Sequence, residues 1–142
     1  MRVFQKQKQN KIEEMKNSDK HRRIAIIAHD GKKAQMVSFV MHHLRFFQRS
    51  DLEIWATGTT GKHVEEAGLN VNKVLSGPMG GDAKIADMVS NGLIDIVIFF
   101  RDPLGKHPHE PDVQMLMRLC DVHEIPLATN PATARLLIQN FI

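Results

Sequence analysis

Apolar residues along this chain follow two spacings that alternate from one end to the other. Short continuous runs occur at Ile24-Ala25-Ile26-Ile27-Ala28, Leu52 to Ala56, Val71 to Leu75, Ile94 to Phe100 and Ile125 to Ala128. A run of this length bounded by turn residues fits a strand buried on both faces. Between the runs, apolar positions recur every three or four residues, the spacing of one helix face. Met36, Val37, Val40, Met41, Leu44 and Phe47 predict a helix from Lys33 to about Gln48. A short helix follows through Ala67, stopped by Gly68, and another opens at Asp82 with Ile85, Met88 and Val89 and stops at Gly92. Val113, Leu116, Met117 and Cys120 predict a helix capped by Asp112, and Ala134, Leu137, Ile138 and Phe141 predict the last one. Five strand-helix alternations with short connections predict a doubly wound, Rossmann-like α/β domain in three layers, with a five-stranded, mainly parallel sheet.

In such a sheet every strand-to-helix turn lies at the carboxyl edge, where ligands bind near the switch in strand order. His29-Asp30, Thr57-Gly58-Thr59-Thr60-Gly61, Ser76 to Asp82, Asp102 to Asp112 and Thr129-Asn130 are therefore expected to share one edge. The segment Ser-Gly-Pro-Met-Gly-Gly-Asp, residues 76 to 82, is the centre of that group. Its glycines leave backbone N–H groups open to an anion, and it runs into a helix start. Hydroxyls of Thr57, Thr59, Thr60 and Ser76, with Lys33 at another helix start, are the donors expected around a phosphate. Neither loop matches the Walker or dinucleotide pattern, so a nucleotide is not the expected ligand.

Asp30, Asp82, Asp102 and Asp112, with His29 and His109, are placed around the same cleft. Crowded carboxylates raise the pKa of at least one of them, which suits proton transfer at neutral pH. Metal binding competes, because carboxylates with imidazoles suit several divalent ions. It ranks lower: adjacent His42 and His43 cannot both face one ion from a helix, and no compact ligand set is visible. Of the imidazoles, His29 also reads as strand-end packing and His107 as an exposed loop residue.

Charge and length narrow the class. At 142 residues the chain fits one domain. Residues 1 to 23 hold eight Lys/Arg against three Asp/Glu, which leaves 11 basic and 13 acidic residues in the remainder. The basicity therefore belongs to residues 1–22, read as a flexible extension, and the domain at 23–142 is not a nucleic-acid binder. No apolar run reaches the roughly 20 residues of a membrane span, and no apolar secretory segment opens the chain, so a cytoplasmic protein is expected. One cysteine, Cys120, excludes an intrachain disulfide and falls at a core position.

Taken together, Ala28-His29-Asp30, Ala56 to Gly61, Ser76 to Asp82, Phe99 to Leu104, Pro108 to Asp112 and Ile125 to Asn130 resemble, in order and spacing, the methylglyoxal synthase family. The resemblance implies a cofactor-independent lyase that turns dihydroxyacetone phosphate into methylglyoxal and phosphate, usually as a homohexamer. It implies Asp82 as base, His109 as proton shuttle or electrophile, and Asp30, Asp102 and Asp112 as supporting carboxylates. His29, Lys33, Thr57, Gly58, Thr59, Thr60, Ser76, Gly77 and His109 would hold substrate and phosphate. Two departures stand out: Ala83-Lys84 where family members read Gln-Gln, and an end at Ile142 where relatives continue. A non-catalytic ligand-sensing module of the same fold, as in carbamoyl-phosphate synthetase, is the alternative; it would need the phosphate loops but no base.

Overall fold

Ile24 lies between Ile54 and Ile96 on the neighbouring strands, and this apolar row marks the middle of the sheet. The computed structural model describes residues 5, 6, 9, 21–75, 79–105 and 110–141. Strands β1 (Arg22–Ala28), β2 (Leu52–Thr57), β3 (Asn72–Val74), β4 (Ile96–Phe100) and β5 (Leu127–Ala128) are all parallel and pair in the order β3-β2-β1-β4-β5. Parallel pairing forces each connection to cross back over the sheet, and the helices supply those crossovers. They are α1 (Lys33–His42), α2 (Leu44–Phe47), α3 (Gly58–Glu66), α4 (Gly81–Ser90), α5 (Glu110–Val122) and α6 (Pro131–Gln139).

Side chains alternate across the strands and build a core on each face. Ile24, Ile26, Ala28, Ile98 and Phe100 pack with Met36, Phe39 and Val40 of α1, Val64 of α3 and Ala134 of α6. Ala25, Ile27, Val97 and Phe99 pack with Ile85 and Val89 of α4 and with Val113, Leu116 and Cys120 of α5. Each fully buried Ile or Leu contributes roughly 1.5–3 kcal/mol. The central strands are thus a stiff platform for the loops at their ends. Because β1 is followed by β2 and β3 on one side while β4 returns to the other, the strand order reverses between β1 and β4.

Several expected boundaries move. The helix from Lys33 breaks at His43, whose backbone leaves the helical region at φ −119° and ψ 29°. The His43 ring stacks 4.5 Å from Phe39 with its Nδ1 2.9 Å from the Phe39 carbonyl oxygen. Past the break Phe47 is buried edge-on to Phe39, while Met41 is exposed and leaves the predicted apolar face. β4 and β5 begin two residues later than their apolar runs, because Ile94 and Ile125 pack in the connections before them. Gly68 and Gly92 end α3 and α4 with φ of 106° and 71°, the left-handed turn expected of them.

Candidate active site

The two strands at the switch point hold their carboxyl ends together through His29 and Asp102. The His29 backbone N–H extends the β1–β4 ladder to the Phe100 carbonyl at 3.1 Å. In return the Asp102 backbone N–H donates to His29 Nδ1 at 3.0 Å. A backbone amide can only donate, so Nδ1 is the acceptor and the neutral ring carries its proton on Nε2. The ring is 4% exposed and lies edge-on to Phe99, 5.0 Å between centroids. His29 is therefore a buried donor of fixed tautomer at the ligand-binding edge.

Asp102 is fixed as well. Its Oδ1 accepts from the Leu104 N–H at 3.0 Å, and Oδ2 lies over Gly31, 2.6 Å from where a Cβ would stand. The same turn begins at Asp30, which forms an ion pair with Lys33 at 2.6 Å. Asp30's side chain is 97% exposed and Lys33's 20%, so this pair sits at the rim, where such pairs stabilise little.

The stretch from Thr57 to Gly61, expected as a loop, is the end of β2 followed directly by α3. Thr57 is the N-cap without a side-chain cap bond, and Gly58, Thr59 and Thr60 form the first turn. The Gly58 N–H donates to the Leu75 carbonyl at 3.2 Å. Thr59 is exposed, whereas Thr57 and Thr60 are buried, Thr60 to 1%. The Thr60 hydroxyl has no hydrogen-bond partner among the described residues. A buried hydroxyl left in that state costs about 1–3 kcal/mol, which a bound oxyanion would remove. Glycine at 61 is required by close approach: a Cβ there would stand 2.7 Å from Lys73 Cγ and 3.3 Å from Ala56 Cβ.

Asp82 is the second residue of α4 and is 0% exposed. The N-cap is Gly80, at φ 102°, so Asp82 is not the cap. A carboxylate in the first helical turn is favoured by the helix dipole, by about 0.3–1 kcal/mol and up to ~2 in partly buried settings. Asp112 is the third residue of α5, inside the helix and not its cap, and half-buried. α4 and α5 pack on the same face of the sheet, so both carboxylates stand at the carboxyl edge of one layer. Of the departures, Ala83 is half-buried behind Asp82 and Lys84 is exposed, its N–H closing the first turn onto the Gly80 carbonyl at 3.0 Å.

Ser76, Gly77, His107 and His109 lie outside the described residues. Among the described residues, no group of three or more His, Cys, Asp or Glu side chains is arranged to hold a metal ion. Cys120 is a core group: burial pushes its thiol up to about 11, so it stays protonated. Sequence reasoning missed Gly31, whose lack of a side chain makes room for Asp102. The signal was present, a glycine directly after His29-Asp30.

The MGS-like domain family matches residues 35–129. The methylglyoxal synthase of Carboxydothermus hydrogenoformans is 52% identical over 118 residues, 82% of this chain and 96% of that protein. That of Ralstonia nicotianae is 53% identical over 120 residues, 84% of this chain and 87% of that one. The crystal structure of a methylglyoxal synthase from Elizabethkingia anophelis superposes with a TM-score of 0.79 at 41% identity, covering 86% of this chain and 80% of that one. The regulatory-module alternative is not favoured by these likenesses. With its five parallel strands, a fully buried aspartate opening α4 and hydroxyls opening α3, the chain belongs to the methylglyoxal synthase family.

Proposed function

We propose that this chain is a lyase acting on dihydroxyacetone phosphate, with Asp82 as the base and the start of α3 as the phosphate seat. The observation that carries the reading is the complete burial of Asp82 at the ligand edge of a fold shared with methylglyoxal synthases. A carboxylate shielded from water is a stronger proton acceptor than one in solution, and it sits where ligands bind such sheets.

The carbon bearing the free hydroxyl is acidified by the neighbouring carbonyl. Asp82 takes one proton from it, and the C–H electron pair moves into an enediolate. Charge builds on the carbonyl oxygen, which the His29 Nε2–H and His109 are suited to receive. The enediolate then expels phosphate: the electron pair moves into a new C=C bond and the C–O bond to phosphate breaks. The resulting enol takes up a proton on its terminal carbon and becomes methylglyoxal. Elimination requires the breaking C–O bond to stand perpendicular to the enediolate plane, so the grip on phosphate decides the product. Thr57, Gly58, Thr60, the N–H groups of Thr59 and Thr60 and Lys33 provide that grip, joined by the Thr59 hydroxyl, Ser76 and Gly77. Asp30, Asp102 and Asp112 are supporting carboxylates, and the Asp102 backbone N–H also sets the His29 tautomer. No cofactor enters these steps.

Residues 1–22 are read as an appendage to the catalytic domain at 23–142, and the protein as cytoplasmic; no helix among the described residues is long and apolar enough to cross a membrane. A homo-oligomer, a hexamer by resemblance to the family, is supported by Leu75, Met79 and Leu104, large apolar side chains exposed around the carboxyl edge. The test is incubation with dihydroxyacetone phosphate while following methylglyoxal and inorganic phosphate together. Equimolar release of both is expected. Phosphate without methylglyoxal, or neither product, would overturn the reading.

A further inference from the structure

A second polar cleft opens at the carboxyl edge, beside the groups already described but lined by different residues. It has a volume of about 510 Å³, and its walls are Lys32, Gln35 and Arg101, then Thr129 and Asn130 over Pro103 and Pro131. α1 and α6 belong to the layer opposite α4 and Asp82, so this cleft is on the far side of the switch point from the proposed base. Lys32, at the end of the turn Asp30–Lys32, and Arg101 and Pro103, on either side of Asp102, line the cleft.

The lining has one chemical character. Among the described residues it is lined by two cationic side chains and no carboxylate. Lys32 has no ion-pair partner among the described residues, unlike Lys33 beside it, which holds Asp30. Asn130 Oδ1 is committed to the Thr133 N–H at 3.1 Å, which leaves its Nδ2–H₂ to donate into the cleft side. Gln35 and the Thr129 hydroxyl add two more donors. The Lys32 ammonium is a point charge and the neighbouring guanidinium adds to the positive field, which suits a phosphate or carboxylate group. A volume in the range of small-molecule sites exceeds a bare ion's needs, and the two prolines give an apolar floor.

We infer that this cleft binds a small organic anion, a phosphate monoester or carboxylate, separately from the substrate. Lys32 holds the anionic group, with the Arg101 guanidinium adding positive charge beside it, and Gln35, Thr129 and Asn130 take the polar remainder. The site has a direct route to the catalytic groups. Arg101 and Pro103 flank Asp102, whose N–H sets the His29 tautomer, so a ligand that shifts this segment alters the donor at the switch point.

Equilibrium dialysis with labelled inorganic phosphate tests this with three proteins: wild type, Lys32→Gln/Arg101→Gln, and Thr57→Val/Thr60→Val. Two saturable sites per chain are expected in wild type. One should remain in each double variant, and the cleft variant should keep dihydroxyacetone phosphate turnover. A single site in wild type that survives in the cleft variant and vanishes in the threonine variant would overturn the inference. So would two sites unaffected by Lys32→Gln/Arg101→Gln. A single site lost only in the cleft variant would uphold the cleft and instead overturn the phosphate seat at α3. Circular dichroism of each variant guards against misfolding, and the single Lys32→Gln change, on an accessible side chain, should still weaken cleft binding by about tenfold or more, as expected for a charge-assisted bond.

Discussion

The two edges of the sheet both carry polar residues but handle them differently. At the amino edge they are matched within the chain. Arg49 donates to both oxygens of Asp51 at 2.9 and 2.6 Å, and Glu53 accepts from Arg23 at 3.2 Å and from Trp55 Nε1 at 2.5 Å. Asp95 accepts from the Arg23 N–H at 2.8 Å, and the Arg22 guanidinium lies 3.8 Å over the Phe141 ring. At the carboxyl edge Asp82 and Thr60 are more deeply buried than any of these acids, yet the Thr60 hydroxyl has no partner among the described residues. Polar groups at the first edge are matched to one another, whereas the second buries a hydroxyl for which the fold supplies no partner among the described residues. The contrast sets the expected cost of removing each one.

Asp82→Asn should show the largest effect. Asn keeps the shape of the side chain and removes the proton acceptor, so turnover falls by about 10²–10⁴-fold while a substrate-like phosphate still binds. Steady-state kinetics with a binding titration checks both halves. Thr60→Val comes next. It deletes a hydroxyl that no described residue uses, so kcat/KM should fall by roughly 10–100-fold, as for loss of a bond to a charged group, with thermal stability unchanged or raised. If Thr60→Val instead melts lower at unchanged kcat/KM, the hydroxyl is structural.

Glu53→Ala reverses the pattern. It removes an acceptor shared by a buried arginine and an indole N–H, and should cost about 1–3 kcal/mol in denaturant unfolding with kcat/KM unaltered. The smallest effect belongs to Asp51. Hydrogen bonds from Arg49 hold its carboxyl below the ordinary carboxylate range. A depressed folded-state pKa gives stability that is present above the unfolded value and lost as pH falls through the folded one. Melting curves should therefore show Asp51→Asn slightly below wild type at neutral pH and converging with it as pH falls below the ordinary carboxylate range.

Much of this was readable in the residues, and what escaped has physical causes. β1 and the carboxyl-edge grouping follow from continuous apolar runs, which only a strand buried on both faces explains. The start of α3 did not, because Gly58 and Gly61 are poor helix formers; Gly61 is there for a close approach to Lys73 and Ala56 that periodicity cannot register. The break at His43 was hidden in the same way. Met41 and Leu44 continue a helical spacing, whereas the break comes with a local ring and carbonyl contact to Phe39. Polar types at the site were found from their turns, but which of them are buried was not. Asp30 and Asp82 look alike in sequence, yet one is 97% exposed at its side chain and the other 0% as a residue.

The melting temperature of ligand-free Asp82→Asn tests whether that burial serves chemistry or the fold. Burying a carboxylate costs several kcal/mol after relaxation, a cost that the neutral isostere does not carry. If Asp82 is kept for chemistry and not for the fold, the neutral isostere should melt at or above the wild-type temperature while turnover is lost. A variant that melts several degrees lower would place Asp82 with Glu53, as a group that anchors the structure, and would contradict the assignment of the base.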